Sequence, residues 1–240
     1  IYVLFEFNEA GHFSDLISND EKVYALIWTT TPWTLPLNRA VMLKRNGKYL
    51  LVRSNGKYLV FGKGCLGYIK EATKFDYEAV KEFDANDIVN LKLKHLFDEG
   101  FSIPFVLDDS VEDETGTACV HMAPGCGPLD YEIAVKNEIE IYSPISPEGK
   151  YSEGIIPVEL KNKSVFDGQG WVIKNLDESG KLWFKASIKH SYPHCWRSHE
   201  PLIFRATTQC FFELSHNELI DRVVKHIGEM KFYPESGRNF

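Results

Sequence analysis

Two Asn-Gly pairs, at 46–47 and 55–56, constrain the fold of this chain most strongly, because both lie between short runs of strand-forming residues within 40–61. Asn-Gly between alternating apolar residues is the strongest short-range signal for a hairpin, since both residues accept the positive φ of a two-residue turn. The pattern therefore predicts a three-stranded antiparallel meander over 40–61.

Other segments add strands and a few helices. Apolar runs predict strands at the following residues: 23–28, 101–107, 117–122 and 182–192. Helices are predicted at 130–137, at 170–176 and at 219–227, the last with a capping box formed by Ser215 and Glu218. The acidic stretch 70–100 is weakly helical in pattern. Because no βαβ alternation indicates a doubly wound sheet, we predict a mixed, β-rich fold, with a closed or strongly curved sheet and peripheral helices.

The composition is that of a globular chain with a large core. Of the 240 residues, 44% are hydrophobic and 25% are charged, which argues against global disorder. No apolar run reaches the roughly 18 residues that indicate a membrane span. The chain begins at Ile1 without a signal-peptide pattern, so we expect an excised piece of a larger protein. Five cysteines without regular spacing favour a reducing, cytoplasmic location.

The charge is negative overall and unevenly distributed. The formal net charge is -7, and residues 71–140 alone contain 17 acidic and 5 basic side chains. Domains that bind nucleic acid on their own place Lys and Arg against phosphates. The balance therefore argues against an autonomous nucleic-acid binder.

Two segments contain the residues best suited to chemistry. Residues 28–40 place three successive threonine hydroxyls between Trp28 and Pro32, in a stretch that the two prolines stiffen. Residues 116–131 place His121 at a strand end and Asp130 at the start of a helix, joined by a Gly/Pro loop. Each has an ordinary structural explanation: threonines that satisfy local backbone groups, a strand-end histidine and a first-turn helix acid.

A cysteine nucleophile and a metal site are the weaker hypotheses. Cys126 lies between glycines near His121, but a thiolate also needs a positioned base and an oxyanion hole. His194, Cys195 and His199 lie close together, yet no second ligand pair at metal-binding spacing completes a tetrahedral set. We therefore predict no metal site.

Three motifs in order identify a resemblance to a known family. WTTTPWTLPLNRA at 28–40, GTACVHMAPGCGPLDY at 116–131 and HSYPHCWRSHEPLIFRAT at 190–207 resemble successive segments of the connective-peptide editing domain of isoleucyl-tRNA synthetases. The resemblance departs from the common pattern at Ala118, Cys126, Leu129 and Cys210. Cys126 stands where the family commonly has a histidine, so the resemblance implies no role for that position.

The resemblance implies a β-barrel-centred editing domain that hydrolyses valine wrongly esterified to isoleucine tRNA, and also valyl-adenylate if this reaches the site. In this family the missing methylene gives only about 150-fold discrimination at the synthetic site, so a second sieve removes the smaller product. A different class of function stays open: a non-catalytic module that docks the tRNA acceptor end. A Cys126 thiol hydrolase is the third alternative.

The resemblance also implies roles for individual residues. Asp130 would hold the substrate's α-ammonium, His121 would exclude isoleucine, and the threonines would bind the ester region and place the attacking water. The implied catalytic residues are Asp130, Thr30 and Thr31. The implied substrate-binding residues are Thr29, Thr30, Thr31, Trp33, Asn38, His121, Ala123, Pro124, Gly125 and Asp130.

The same resemblance implies the molecular context. The editing domain would need no cofactor, since ATP and a metal belong only to the parent synthetase. Its partners would be the acceptor end of tRNA(Ile) and the remaining domains of the parent, and the isolated domain would be a monomer in the cytoplasm. We expect residues 1–240 to form one inserted domain, with junctions to the parent at 1–22 and 229–240.

Overall fold

The computed structural model describes residues 1–18, 21–189 and 191–239 of the chain. It divides into two compact units, Ile1–Ala206 and Thr207–Phe240. His190, within the predicted strand 182–192 and at the start of the third motif, lies outside the described residues.

Among the described residues of the first unit, ten strands form two sheets. Their bounds are β1 Tyr2–Glu6, β2 Val23–Trp28, β3 Ala40–Lys44, β4 Lys48–Ser54, β5 Lys57–Gly62, β6 Glu78–Asp84, β7 Lys92–Lys94, β8 Ser102–Asp108, β9 Cys119–Met122 and β10 Leu182–Phe184. The larger sheet has the order β10-β1-β2-β5-β4-β6 and the smaller one β7-β8-β3-β9. The mixed, β-rich architecture with peripheral helices is as predicted, with the strands arranged in these two sheets.

The second Asn-Gly pair forms the predicted hairpin. Asn55 and Gly56 have φ values of 49° and 73°, and β4 and β5 pair antiparallel on either side of them. Both residues accept positive φ at low cost, which is why this turn could be predicted from sequence.

The first Asn-Gly pair does not join hydrogen-bonded strands, so the three-stranded meander was wrong. β3 pairs parallel with β8 and antiparallel with β9, whereas β4 belongs to the larger sheet. The turn at Asn46, whose φ is 57°, carries the chain from one sheet to the other. The reason is burial: β3 is apolar on both faces and therefore takes a central position with a partner on each edge.

Tyr49 ties the two sheets together just after that turn. Its hydroxyl accepts a hydrogen bond from the backbone N–H of Lys44, at 2.9 Å, and donates to the carbonyl of Ala118, at 2.7 Å. Its side chain is fully buried. The end of β3 is thereby fixed relative to the segment that leads into β9.

Helices of the first unit lie around its sheets. They are α1 Leu66–Thr73, α2 Ala85–Ile88, α3 Pro128–Lys136 and α4 Val165–Glu178. The remaining helix, α5 Leu219–Glu229, belongs to the second unit. α3 confirms the helix predicted at 130–137, and α4 is longer than predicted. The helical prediction for 70–100 was wrong over β6, which takes the free edge of β4 and leaves most of its side chains exposed. The strand predicted at 182–192 is limited to β10.

The second unit contains α5, and its predicted capping box is absent. Ser215 Oγ donates to Glu213 Oε1, while Glu218, in the left-handed region at φ 54°, is the residue that precedes the helix. A short 3-10 turn at His216–Glu218 separates Ser215 from the start of α5. The three-residue spacing of Ser215 and Glu218 therefore does not form a capping box. Among the described residues, no helix is long and apolar enough to span a membrane.

Candidate functional site

A cavity of about 430 Å³, here called the main cavity, lies where β2, β9 and the start of α3 converge. Six of the ten predicted catalytic and substrate-binding residues line it: Thr29, Thr30, Thr31, His121, Ala123 and Asp130. The fold therefore brings two motifs that lie about 90 positions apart into one site.

The threonine-rich segment is shaped by its own hydroxyls. Thr29 Oγ1 accepts from the backbone N–H of Thr31 at 3.1 Å, and Thr34 Oγ1 donates to the Thr31 carbonyl at 2.8 Å. Pro32 then begins a short 3-10 helix, Pro32–Leu37. The Thr30 side chain is exposed and makes no hydrogen bond to any described residue, so its hydroxyl is available to a ligand.

His121 is held through both ring nitrogens. Strand pairing of β9 with β3 places it opposite Val41, and Asn38 precedes β3. Asn38 Nδ2 lies 2.5 Å from His121 Nδ1, and Thr34 Oγ1 lies 2.8 Å from His121 Nε2. Since the amide nitrogen can only donate and the Thr34 hydroxyl proton is directed at Thr31, the arrangement requires an acceptor at Nδ1 and an N–H at Nε2.

The His121 imidazole is neutral. Burial, with a smaller contribution from nearby His95, lowers its pKa to about 3. A ring with this pKa is a poor proton acceptor at neutral pH. Its fixed orientation makes it suitable instead as a rigid wall of the cavity.

Two carboxylates line the described main cavity: Glu112, which accepts a hydrogen bond from the Thr115 hydroxyl, and the predicted site residue Asp130, which is the less exposed of the two. Asp130 lies in the first turn of α3, and its Oδ2 accepts from the backbone N–H of Ala123 at 2.8 Å. Burial raises its pKa above the ordinary aspartate value, and the Ala123 hydrogen bond opposes this in part. A half-buried carboxylate with spare acceptor capacity is a suitable partner for a cation.

Cys126 also lines the main cavity, but as a protonated thiol. Burial, and then the charge of Asp130, raise its pKa to about 12. The thiolate that a cysteine nucleophile needs is therefore strongly disfavoured, which argues against the Cys126 thiol hydrolase.

Four predicted binding residues lie outside the lining of the main cavity. Asn38 is fully buried and acts on the site through His121. Pro124 and Gly125 are buried in the loop before α3, and a Cβ at Gly125 would lie 2.3 Å from the Tyr142 carbonyl oxygen. Trp33 lines a neighbouring cavity of about 330 Å³ that also contains Thr30 and Thr31.

Sequence reasoning missed several lining residues. Thr34 lies inside the quoted motif and contacts His121, but no local spacing signals a contact that spans 87 positions. The loop 110–117 also contributes lining residues, of which only the last two lie inside a quoted motif: Ser110, Val111, Glu112, Thr115, Gly116 and Thr117. Gly116, at φ 68°, allows this loop to approach the Trp28 ring, since a Cβ there would lie 3.2 Å from Trp28 Cε3.

The chain is similar to known proteins in sequence and in fold. No protein-family profile matches the chain. It is 37% identical, over its whole length, to isoleucine–tRNA ligase of Persephonella marina and 39% identical, over 90% of its length, to that of Nitratidesulfovibrio vulgaris strain DP4. The chain spans about a quarter of the length of these relatives.

Solved structures share the fold. The GlLeuRS-CP1 crystal structure matches with a TM-score of 0.60 and 16% identity, covering 79% of this chain and 100% of that one. The editing domain of the P. knowlesi cytosolic leucyl-tRNA synthetase matches with a TM-score of 0.55 and 11% identity, covering 75% of this chain and 94% of that one. Taken with the relatives found by sequence, this shows that the chain belongs to the connective-peptide editing domains of class I aminoacyl-tRNA synthetases, within the isoleucine–tRNA ligase group.

Proposed function

We propose that this domain hydrolyses the ester between valine and the 3′-terminal adenosine of tRNA(Ile), and spares the isoleucyl ester. The observation that carries the proposal is the main cavity itself, in which Asp130, His121 and the threonine segment face one space. The proposal gives each of these groups a task that its chemistry suits.

The amino acid would be oriented by its charge. The α-ammonium of an aminoacyl ester is a cation, and Asp130 offers a desolvated carboxylate that already accepts one backbone hydrogen bond. Such a charge-assisted contact fixes the position of the scissile carbonyl relative to the protein. An uncharged acyl group would lose this anchor.

The size limit would come from His121. Its ring is clamped by Asn38 and Thr34, so it cannot rotate away from a larger side chain without breaking two hydrogen bonds. A valine side chain fits before this wall, whereas the additional methylene of isoleucine would press against it. Exclusion by a rigid wall gives the second sieve the selectivity that the synthetic site lacks.

The chemistry would rest on positioning. Water adds to the ester carbonyl, the bond from that carbon to the ribose oxygen breaks, and the leaving oxygen takes the proton. His121 is neutral with a low pKa, so it is a weak base, and the Cys126 thiol is protonated. We therefore assign to the Thr30 and Thr31 hydroxyls the positioning of the attacking water, assisted by the free vicinal hydroxyl of the ribose. The rate enhancement would come from the orientation of the water relative to the ester carbonyl.

The proposed context is the parent synthetase in the cytoplasm. The net charge of -7 suits a domain that does not hold tRNA by itself, with other domains supplying most phosphate contacts. The proposed substrate is therefore the tRNA end, delivered by the parent, and the domain would need neither cofactor nor metal.

Valine release from Val-tRNA(Ile), measured with the chain at high concentration, tests the proposal. We expect turnover in the wild type and strong loss in Asp130→Ala and Thr30→Ala. If the chain bound the tRNA end without any turnover, it would be the non-catalytic docking module. If both variants kept the wild-type rate, the assigned roles would be rejected.

A further inference from the structure

A cavity of about 770 Å³ lies apart from the main cavity and shares no lining residue with it. Residues of β1, β2, β5 and β7, together with the turn before β10, form its walls. We call it the basic cavity, after the one histidine and four lysines in its lining: Lys22, Lys57, Lys94, His95 and Lys181. Its volume is in the range of sites that bind small molecules, and the proposed function gives it no role.

His95 contributes a hydrogen-bond donor that lacks a partner. Its side chain is 4% exposed, and its Nδ1 accepts from the backbone N–H groups of Phe97 and Asp98, at 3.2 and 2.9 Å. Burial lowers the pKa of the ring to about 3, so the ring is neutral at pH 7 and its single proton is on Nε2. Nε2 makes no hydrogen bond to any described residue. Because buried donors are normally satisfied, this one indicates a ligand that brings an acceptor.

Glu6 bridges two of the four lysines. Its carboxylate lies 3.0 Å from Lys22 Nζ and 2.6 Å from Lys94 Nζ. The other acids of the lining, Glu9 and Glu99, are exposed and form no ion pair within the described part of the chain. Solvent and salt screen exposed charges more strongly than buried ones. The half-buried charges that Glu6 leaves in the lining are therefore positive.

These remaining charges belong to Lys57 and Lys181, which are half-buried and lack a carboxylate partner among the described residues. Lys57 Nζ donates to the Gly180 carbonyl at 3.2 Å and lies 5.5 Å from the centroid of the Tyr24 ring, and Lys181 Nζ donates to the Leu96 carbonyl at 2.6 Å. Since an ammonium has three donors, each keeps donor capacity for a ligand. Burial lowers the pKa of Lys181, and an anion beside this ammonium would oppose that effect.

We propose that the basic cavity binds the terminal phosphate of a small molecule. Two phosphate oxygens pair with Lys57 and Lys181, and a third accepts from the Nε2–H of His95. A terminal phosphate carries nearly two negative charges at neutral pH and has three acceptor oxygens, which match two ammonium groups and one N–H. A carboxylate, with one charge and two oxygens, would leave one of these groups unmatched. The inference does not rest on the proposed function, because the two cavities share no residue.

Calorimetric titration with inorganic phosphate, at an ionic strength held constant with chloride, tests the site. We expect saturable binding to the wild type and to Lys163→Ala, which changes an exposed lysine outside the cavity. Lys57→Ala and His95→Asn should each weaken binding about tenfold, as expected for loss of a hydrogen bond to a charged group. Asparagine keeps an acceptor for the two backbone N–H groups, but its amide is too short to replace Nε2. Absence of saturable binding by the wild type, or unchanged affinity in both cavity variants, would overturn the proposal.

Nitrogen-15 spectra of the histidine-labelled wild type give a readout that is independent of how the variants fold. Phosphate should shift the Nε2 resonance of His95 saturably, with the affinity found by calorimetry, and His95→Asn identifies that resonance by its loss. The exposed His226 is the internal control. If His95 did not respond, or if His226 shifted to the same extent, phosphate would not be bound in the basic cavity.

Two phosphate compounds separate the sources from which the group could come. Ribose 5-phosphate has a terminal phosphate, whereas the dinucleoside phosphate UpU has a phosphodiester with a single charge and two free oxygens. We expect ribose 5-phosphate to bind at least as tightly as inorganic phosphate, and UpU to bind more weakly. Tighter binding of UpU, lost in His95→Asn, would assign the cavity to a nucleic-acid backbone and overturn the proposal. Loss of valyl-ester hydrolysis would contradict only the function proposed for the main cavity.

Discussion

At the scale of single residues, Asp130 is where function and stability should oppose each other. Because its pKa is raised by burial, the ionised form is disfavoured in the folded state, so its contribution to stability falls as pH rises through the interval between the unfolded and folded pKa values. Asp130→Asn keeps an oxygen for the Ala123 N–H and removes the half-buried charge. We expect an unchanged or higher Tm at pH 7, together with loss of valyl-ester hydrolysis.

The raised pKa also gives Asp130 a signature in the pH profile. Only the carboxylate can hold the substrate ammonium, so kcat/KM should fall with decreasing pH, with a midpoint above the ordinary aspartate value. Stopped hydrolysis assays between pH 4 and pH 8 measure it. A midpoint at or below that ordinary value, or a Tm well below wild type in Asp130→Asn, would contradict this account of the residue.

His121 sets the upper limit on the size of the amino-acid side chain in the main cavity. Substitution of His121 by a smaller residue should therefore admit larger side chains. His121→Ala opens space in the main cavity, so we expect the variant to hydrolyse the isoleucyl ester as well as the valyl ester. The measurement is the ratio of kcat/KM for the two esters, which should fall toward one. An unchanged ratio would reject the assigned role of this ring.

Thr34 should act on that selectivity through His121. Thr34→Val removes the hydroxyl partner of the His121 Nε2–H and leaves a buried donor unpaired, at a cost of about 1–3 kcal/mol in the free energy of unfolding. Thr34→Ser keeps the hydroxyl and is the matched control. Urea unfolding of both variants, with the ester ratio as a second readout, checks the prediction.

The individual residues of the site were only partly predictable from sequence. Thr29–Thr31, His121 and Asp130 were identified by motif, and the structure brings them together in one cavity. Thr34 was missed because its contact with His121 spans 87 positions and exists only through the β3–β9 register. The loop 110–117 was missed because most of it lies outside the quoted motifs, and only the fold brings it to the main cavity.

At the scale of elements, α4 is fitted closely against the segment that carries the threonines. A Cβ at Gly168 would lie 2.4 Å from Cε2 of the buried Tyr151, whose hydroxyl donates to the Trp33 carbonyl at 2.7 Å. Gly168→Ala must therefore displace Tyr151, so we expect a loss of stability of about 1–3 kcal/mol and slower ester hydrolysis.

The same helix offers a matched control for that substitution. Nothing lies within 4 Å of a Cβ at Gly170, so Gly170→Ala should leave activity unchanged and raise stability by about 0.5–1 kcal/mol through helix propensity. Chemical denaturation of the two variants in parallel gives the comparison. Equal effects of the two alanine substitutions on stability and activity would show that packing against Tyr151 is not the reason why position 168 requires a glycine.

Elements were predicted well where local chemistry decides and poorly where pairing decides. The hairpin at Asn55-Gly56 is local, because both turn residues need positive φ. The partners of β3 are not local: β8 and β9 lie some 60 to 80 positions later, and only burial of both faces of β3 selects them. β6 was missed because it is an acidic edge strand with mostly exposed side chains. Such a strand lacks the apolar alternation by which a half-buried strand is predicted.

At the scale of the whole molecule, two neutral histidines, the buried His95 and the half-buried His121, should make stability depend on pH. The pKa values of His95 and His121 are both lowered to about 3, chiefly by burial. Between that pH and the unfolded value near 6.5, the unfolded chain binds more protons, so the stability present above pH 6.5 is lost as pH falls. Each histidine contributes at most about 1.4 kcal/mol per pH unit.

His95→Asn isolates one of these contributions. The asparagine oxygen can replace His95 Nδ1 as the acceptor for the Phe97 and Asp98 N–H groups, at 3.2 and 2.9 Å. We expect a shallower fall of the free energy of unfolding between pH 6.5 and pH 4.5 than in the wild type, measured by urea titration at each pH. An identical slope would show that His95 does not stay neutral in the folded state.

The central claim is that the main cavity binds the substrate's α-ammonium and limits the size of the amino-acid side chain. The aminoacyl ester that fits within this limit is hydrolysed there. Single-turnover release of the amino acid from valyl-adenosine and isoleucyl-adenosine, with wild type, His121→Ala and Asp130→Asn, tests it most directly. The account predicts that the wild type releases valine and spares isoleucine, that His121→Ala releases both, and that Asp130→Asn releases neither. Equal release of both amino acids by the wild type, or undiminished valine release by Asp130→Asn, would contradict it.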